Sequence, residues 1–66
     1  MDHRDELFTV SELAEYLNVP VKTLYAWRYR GEGPVGFRVG RHVRYRNTDI
    51  QEWIQQRVAL SEPRRR

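Results

Sequence analysis

Apolar residues recur at helical spacing in three stretches of the chain and alternate with polar ones in a fourth. In the first stretch Leu13, Ala14 and Leu17 share one face, which predicts a short helix from about Thr9 to Leu17. Thr9-Val10-Ser11-Glu12 has the form of a capping box, in which Thr9 accepts from the backbone three residues on and Glu12 reaches back. Phe8 and Leu13 have the spacing of a hydrophobic staple across that start. Asn18 tolerates left-handed backbone and ends the helix. Val19-Pro20 opens a second helix, where the proline's missing donor costs nothing. Leu24 and Trp27 form its inner face and Gly31 closes it. A third helix, about 49–59, is announced by a second capping box, Thr48-Asp49-Ile50-Gln51, and carries Ile50, Trp53, Ile54 and Val58 as its buried stripe.

Between the second and third helices the period drops to two. In "VGFRVGRHVRYR", residues 35–46, Phe37 and Val39 alternate with Arg38, and Val43 and Tyr45 with Arg44. With Gly40-Arg41-His42 as the bend, this reads as a two-stranded hairpin with one apolar and one arginine-rich face. Such a ribbon is not stable alone in water, so its apolar face must lie on the helices.

The first two helices have further marks. Ala14 is small where crossing helices approach closely, Asn18 stands at the turn, Val19 plugs the corner, and Leu24 and Trp27 meet Leu13 and Leu17. These are the demands of a helix-turn-helix, whose second helix enters the major groove of DNA. Only eight residues precede the first helix, so the rest of the core must come from the hairpin and third helix. The expected fold is mainly α with a small β-hairpin, a winged helix-turn-helix of two-helix reader, two-stranded wing and C-terminal packing helix. Its expected organisation is a polar leader at 1–8, the folded domain at 9–60 and a basic tail at 61–66.

Composition narrows what this fold can do. The 66 residues make one small domain with little room for an enclosed substrate cavity. The chain has no cysteine, which removes disulfides and thiolate metal sites and suits a reducing compartment. His3 and His42 stand apart, with no ligand cluster around them, so no metal or other cofactor is expected. Apolar runs are too short for a membrane span, and the acidic N-terminus is unlike a signal peptide. Paired carboxylates, a nucleophile with its base and a phosphate-binding glycine loop are all missing, so no enzyme is expected.

Charge is uneven. Residues 1–19 hold Arg4 against five acids, a balance of −4. Residues 20–46 hold seven cations against Glu32 alone, or +6, and residues 47–66 hold four arginines against three acids, or +1. A basic block of this kind is either a solvated face or the footprint of a polyanion, double-stranded DNA before a membrane.

"FTVSELAEYLNVPVKTLYAWRYRGEGPVGFRVGRHVRYRNTDIQEWI" resembles the excisionase family of small DNA-binding proteins, akin to the winged module of MerR-type regulators. The resemblance is carried by Phe8-Thr9, Glu12-Leu13-Ala14, Thr23 to Trp27, Gly31, Val39-Gly40, Arg44-Tyr45 and Thr48-Asp49-Ile50, and covers residues 8–54. Two departures are Pro20, where serine is more usual, and the longer link "GEGP". The resemblance implies a recombination directionality factor in the bacterial host cytoplasm. Such a factor binds and bends attachment-site DNA of a phage or mobile element and assists a tyrosine integrase in excision. The same architecture also serves a small transcriptional regulator at a promoter. A third reading is a module whose basic face takes an acidic protein.

On the second helix, Lys22 can reach a guanine edge or a phosphate, and Thr23, Tyr25, Ala26 and Tyr29 lie along the outer and flanking sides. Ala26 suits a thymine methyl, Arg28 at the edge suits a phosphate, and Tyr25 either joins this strip or packs on the wing or first helix. In the wing, Arg41 and His42 crown the turn, where arginine fits a narrow minor groove and His42 is either a contact or a plain turn residue. Arg38 and Arg44 share the ribbon's outer face and suit phosphates. Trp27 and Trp53 read as core anchors, and Arg64 to Arg66 as either a non-specific DNA tail or idle charge. Five or six phosphate contacts imply a salt slope near −5, and about three side chains are left to read bases. That is thin for one site in a genome, so head-to-tail assembly on repeated sites or a partner protein is expected to help.

Overall fold

The computed structural model describes residues 6–61. In chain order they form β1 (Leu7–Thr9), α1 (Val10–Leu17), α2 (Val21–Tyr29), β2 (Gly36–Val39), β3 (His42–Arg46) and α3 (Asn47–Ser61). Residues 1–5 of the leader expected at 1–8, with His3, and residues 62–66 of the tail expected at 61–66 lie outside the described residues.

The capping box at the head of α1 is present in both directions. The Glu12 amide donates to Thr9 Oγ1 at 3.0 Å, and the Thr9 amide donates to Glu12 Oε1 at 2.9 Å. Thr9→Ala is therefore expected to cost about 1 kcal/mol. In a domain this small that lowers the thermal midpoint by roughly 4–8 °C. Circular dichroism melts would check it, and an unmoved midpoint would show that the cap adds nothing. At the other end Asn18 takes the left-handed conformation, φ 60° and ψ 47°, and the Val19 amide donates to the Ala14 carbonyl at 3.0 Å. This sharp corner aims α2 away from α1. Pro20 stands just outside α2 as its cap, so the helix begins one residue after the proline. It ends at Arg30, followed by Gly31 at φ 74°.

The sheet differs from the expected ribbon in two ways. It has three strands, ordered β1-β3-β2 and antiparallel throughout, because Leu7–Thr9 pairs along β3 with Phe8 opposite Tyr45. The Asn47 amide prolongs that ladder by donating to the Glu6 carbonyl at 2.9 Å. A third strand covers an edge of β3 that a hairpin alone leaves open.

The second difference is register. Val39 pairs with His42, leaving a two-residue turn, Gly40-Arg41, where a three-residue bend was expected. Gly40 has φ 63° and Arg41 does not have a positive φ, the requirement of a tight hairpin turn with glycine at its first central position. One residue fewer in the bend slides each pair by one and exchanges faces. Arg38 is thus opposite Val43, and Phe37 opposite Arg44. Arg38 and Arg44 do not share a face, and the apolar residues do not gather on one. Phe8, Val43 and Tyr45 pack toward the core, whereas Leu7, Phe37 and Val39 remain exposed on the other side.

The core consists of Val10, Leu13, Ala14, Leu24, Tyr45 and Ile50, with Phe8, Leu17, Val19, Trp27, Val43 and Ile54 around it. Every element except β2 supplies a member to that set. Helix α3 starts at Asn47, ahead of the expected position, and runs past the core, so Val58, assigned to the buried stripe, is 59% exposed. Trp27 and Trp53 are half-buried rather than enclosed, with ring centroids 5.4 Å apart. Gln51 Nε2 donates to the Tyr16 hydroxyl at 3.1 Å and ties α3 to α1.

Candidate nucleic-acid interface

Helix α2 turns Leu24 inward, at 1% exposure, and its other side outward. Lys22, Ala26 and Tyr29 follow one another at i, i+4 and i+7 along that outer side, with Tyr25 on its flank. Lys22, Tyr25 and Tyr29 are exposed, Tyr29 at 93%, while Thr23 and Ala26 are half-buried. The structure thus presents a ridge of one cation, one methyl and two phenols. A phenol offers an apolar ring and a hydroxyl together, which suits a sugar-phosphate surface.

The hairpin tip lies next to this ridge. Thr9 and Ser11 at the head of α1, Tyr25 of α2, and Arg41, His42 and Arg44 of the hairpin border one recess of about 210 Å³. Lys22 is one turn before Tyr25, so the flank of α2 and the hairpin tip form one surface. Tyr25 stays 52% exposed beside the wing. The head of α1 joins this surface too. Sequence reading missed Thr9 and Ser11 here, because a capping box marks a helix start and carries no sign of what faces it.

The cations of the basic block divide by environment. Arg46 makes a two-pronged pair with Asp49, Nε to Oδ2 at 2.9 Å and Nη2 to Oδ1 at 3.2 Å. Arg30 Nη2 pairs with Glu32 Oε1 at 3.2 Å. Arg44 donates from Nη1 to the Val43 carbonyl at 2.9 Å and is half-buried. Arg57, further along, lies over the Trp53 ring at 5.9 Å. Lys22, Arg38 and Arg41 are exposed and have no carboxylate partner among the described residues. Arg38 stands on the helix-facing side of the sheet, two residues beyond Gly36, so its surroundings differ from those of Arg44.

Arg28 is not on the outer edge. It is half-buried, and its guanidinium lies beside Gly36 and the ring of Tyr45. Burial pushes the Tyr45 phenol above its ordinary pKa, and the nearby Arg28 charge pulls it back down.

Two helices joined through a left-handed asparagine, with a tight hairpin beside the second, define a DNA-binding winged helix-turn-helix protein. The family model described as "Helix-turn-helix domain" matches residues 7–58, most of the chain, and the protein belongs to that family. No curated protein and no solved structure matches it. No helix among the described residues is long and apolar enough to cross a membrane.

Proposed function

We propose that the protein is an excisionase-type recombination directionality factor. In this reading α2 enters the major groove and the hairpin tip follows the adjacent minor groove or its phosphates. Together they bend attachment-site DNA so that a tyrosine integrase runs excision. The observation that carries the reading is the single surface joining the flank of α2 to Arg41 and His42 across the recess at Tyr25. A helix and a ribbon tip side by side span two grooves of one duplex, and a bend of a few kcal/mol is offset by the contacts it adds. Residues that carry the family resemblance also hold structural posts: Thr9 caps α1, Gly40 makes the turn, Tyr45 anchors the sheet and Ile50 anchors α3. Lys22, Tyr25, Ala26 and Tyr29, with Thr23 beside them, are assigned to the major groove. Arg38, Arg41, His42 and Arg44 are assigned to the wing side. Head-to-tail copies on repeated sites supply the specificity that one small footprint lacks.

The test starts with a duplex selected by the wild-type chain from a randomised pool. On it, Lys22→Ala is expected to relax base preference at one position, with a discrimination loss of about 1–3 kcal/mol. Arg41→Ala is expected to weaken all duplexes alike and reduce the salt slope by about 1. Mobility shifts across single-base variants separate the two. Unchanged binding in both variants means that the assigned surface is wrong. Excision is tested separately, by adding the chain to a tyrosine integrase and an attachment-site substrate from the same genome. Tight binding with neither a bend nor stimulated excision would favour the promoter-binding regulator.

A further inference from the structure

Gly36 has an unusually close neighbourhood for an exposed-edge strand. A Cβ built on it would come within 2.8 Å of Tyr45 Cε2 and 3.1 Å of Arg28 Nη1. Tyr45 is its directly opposite partner in the ladder and is only 2% exposed. The missing side chain at position 36 therefore leaves a space bordered by both the Arg28 guanidinium of α2 and the Tyr45 ring of β3. Arg28 sits in the last turn of α2, where a cation also complements the helix dipole. It has no carboxylate partner among the described residues that would draw it elsewhere. Arg28 Nη1 and the Tyr45 ring thus flank the same glycine, one from the helix and the other from the sheet.

We propose that Arg28 is a positioning residue whose guanidinium, seated against Gly36 and the Tyr45 ring, sets the angle between the recognition helix and the hairpin. Its role is to keep the hairpin tip over the DNA while α2 lies in the groove. This inference rests on the DNA-binding reading of the α2–hairpin surface. A planar guanidinium presents a rigid fork of N–H donors on a flat face, whereas a lysine ammonium is a compact, strongly hydrated point charge that does not fill the same seat. With the seat lost, the hairpin swings and its contacts become separate from those of α2. The benefit of Arg41 therefore depends on Arg28.

A double-mutant cycle on the selected duplex reads that dependence. Arg28→Ala and Arg41→Ala are each expected to weaken binding roughly tenfold. The double variant is expected to stay near the single variants instead of reaching about a hundredfold. In Arg28→Ala the hydroxyl-radical protection on the hairpin flank should vanish while protection from α2 remains, and Arg28→Lys should not restore it. Full additivity, with hairpin protection intact and rescue by lysine, would make Arg28 a direct phosphate contact and overturn the proposal. Thermal melts guard against a folding defect. If Arg28→Ala does not fold, Gly36→Ala, which keeps the arginine but fills its seat, must lose the same protection, and retained protection refutes the idea. If Arg41→Ala alone leaves binding unchanged, the hairpin's place on DNA is what fails, and this inference falls with it.

Discussion

Leu24→Ala is expected to remove a large part of the fold's stability, while Tyr25→Ala, one residue on, leaves stability intact and weakens DNA binding. Leu24 is 1% exposed and lies at the junction of α1, α2 and the sheet. A buried Leu→Ala change costs about 2–5 kcal/mol, because the cavity adds to the lost transfer energy. A domain of this size has roughly 3–10 kcal/mol in total, at about 0.05–0.15 kcal/mol per residue. One substitution thus removes about half of the stability, a shift of some 2–5 M in urea midpoint at a small domain's slope of about 1 kcal/mol/M. Tyr25 is half exposed and borders the recess at the hairpin tip. Its truncation should move stability by no more than about 0.5 kcal/mol, while affinity for the selected duplex falls at least about tenfold. Urea titration and a mobility shift on the same two variants check both halves. If Tyr25→Ala costs stability and spares binding, the ring is a packing group and the α2 strip is misassigned.

The first two helices were legible because each had local punctuation, whereas the second capping box misplaced the start of α3, which begins at Asn47 and takes Thr48 inside the helix. Thr9 with Glu12, Asn18 and Gly31 state their structural roles in the chain itself, and the structure places all three at helix ends. What the sequence did not disclose depends on pairing between distant residues. Leu7–Thr9 is too short to show a period, and becomes a strand only because β3 offers it an edge. The hairpin was visible but its register was not. Gly40-Arg41-His42 permits a bend of two or three residues, and the choice decides which side Arg38 and Phe37 occupy. The same limit applies to Arg28. Its position on α2 suggests an edge contact, and only the juxtaposition with Gly36 and Tyr45 reveals a different neighbour. Lys22 and Tyr29 needed no such information, since the depth of Leu24 alone turns them outward.

The last consequence is electrostatic, and its expected effect is also large. Counting charges along the sequence suggests five or six phosphate contacts. Arg46 and Arg30 are held by Asp49 and Glu32, and Arg28 is seated at the helix–sheet junction. On the proposed reading, Lys22, Arg38, Arg41 and Arg44 remain to contact phosphates. Four contacts give a slope of log affinity against log salt near −3.6, at about 0.9 per phosphate. Between 50 and 200 mM salt that is a loss of roughly 150-fold, against about 1,000-fold for a slope of −5. Arg64, Arg65 and Arg66 lie outside the described residues, and each one that engages DNA adds about 0.9. The measurement is therefore made on the full chain and on a variant with those three arginines changed to alanine. A slope near −3.6 in the variant assigns the footprint to the four unpaired or weakly held cations. A slope of −5 or steeper would mean that the pairs at Asp49 and Glu32 open on binding, or that Arg28 leaves Tyr45 for a phosphate. Arg28→Ala separates those two, because only a direct contact gives back one unit of slope with hairpin protection unchanged.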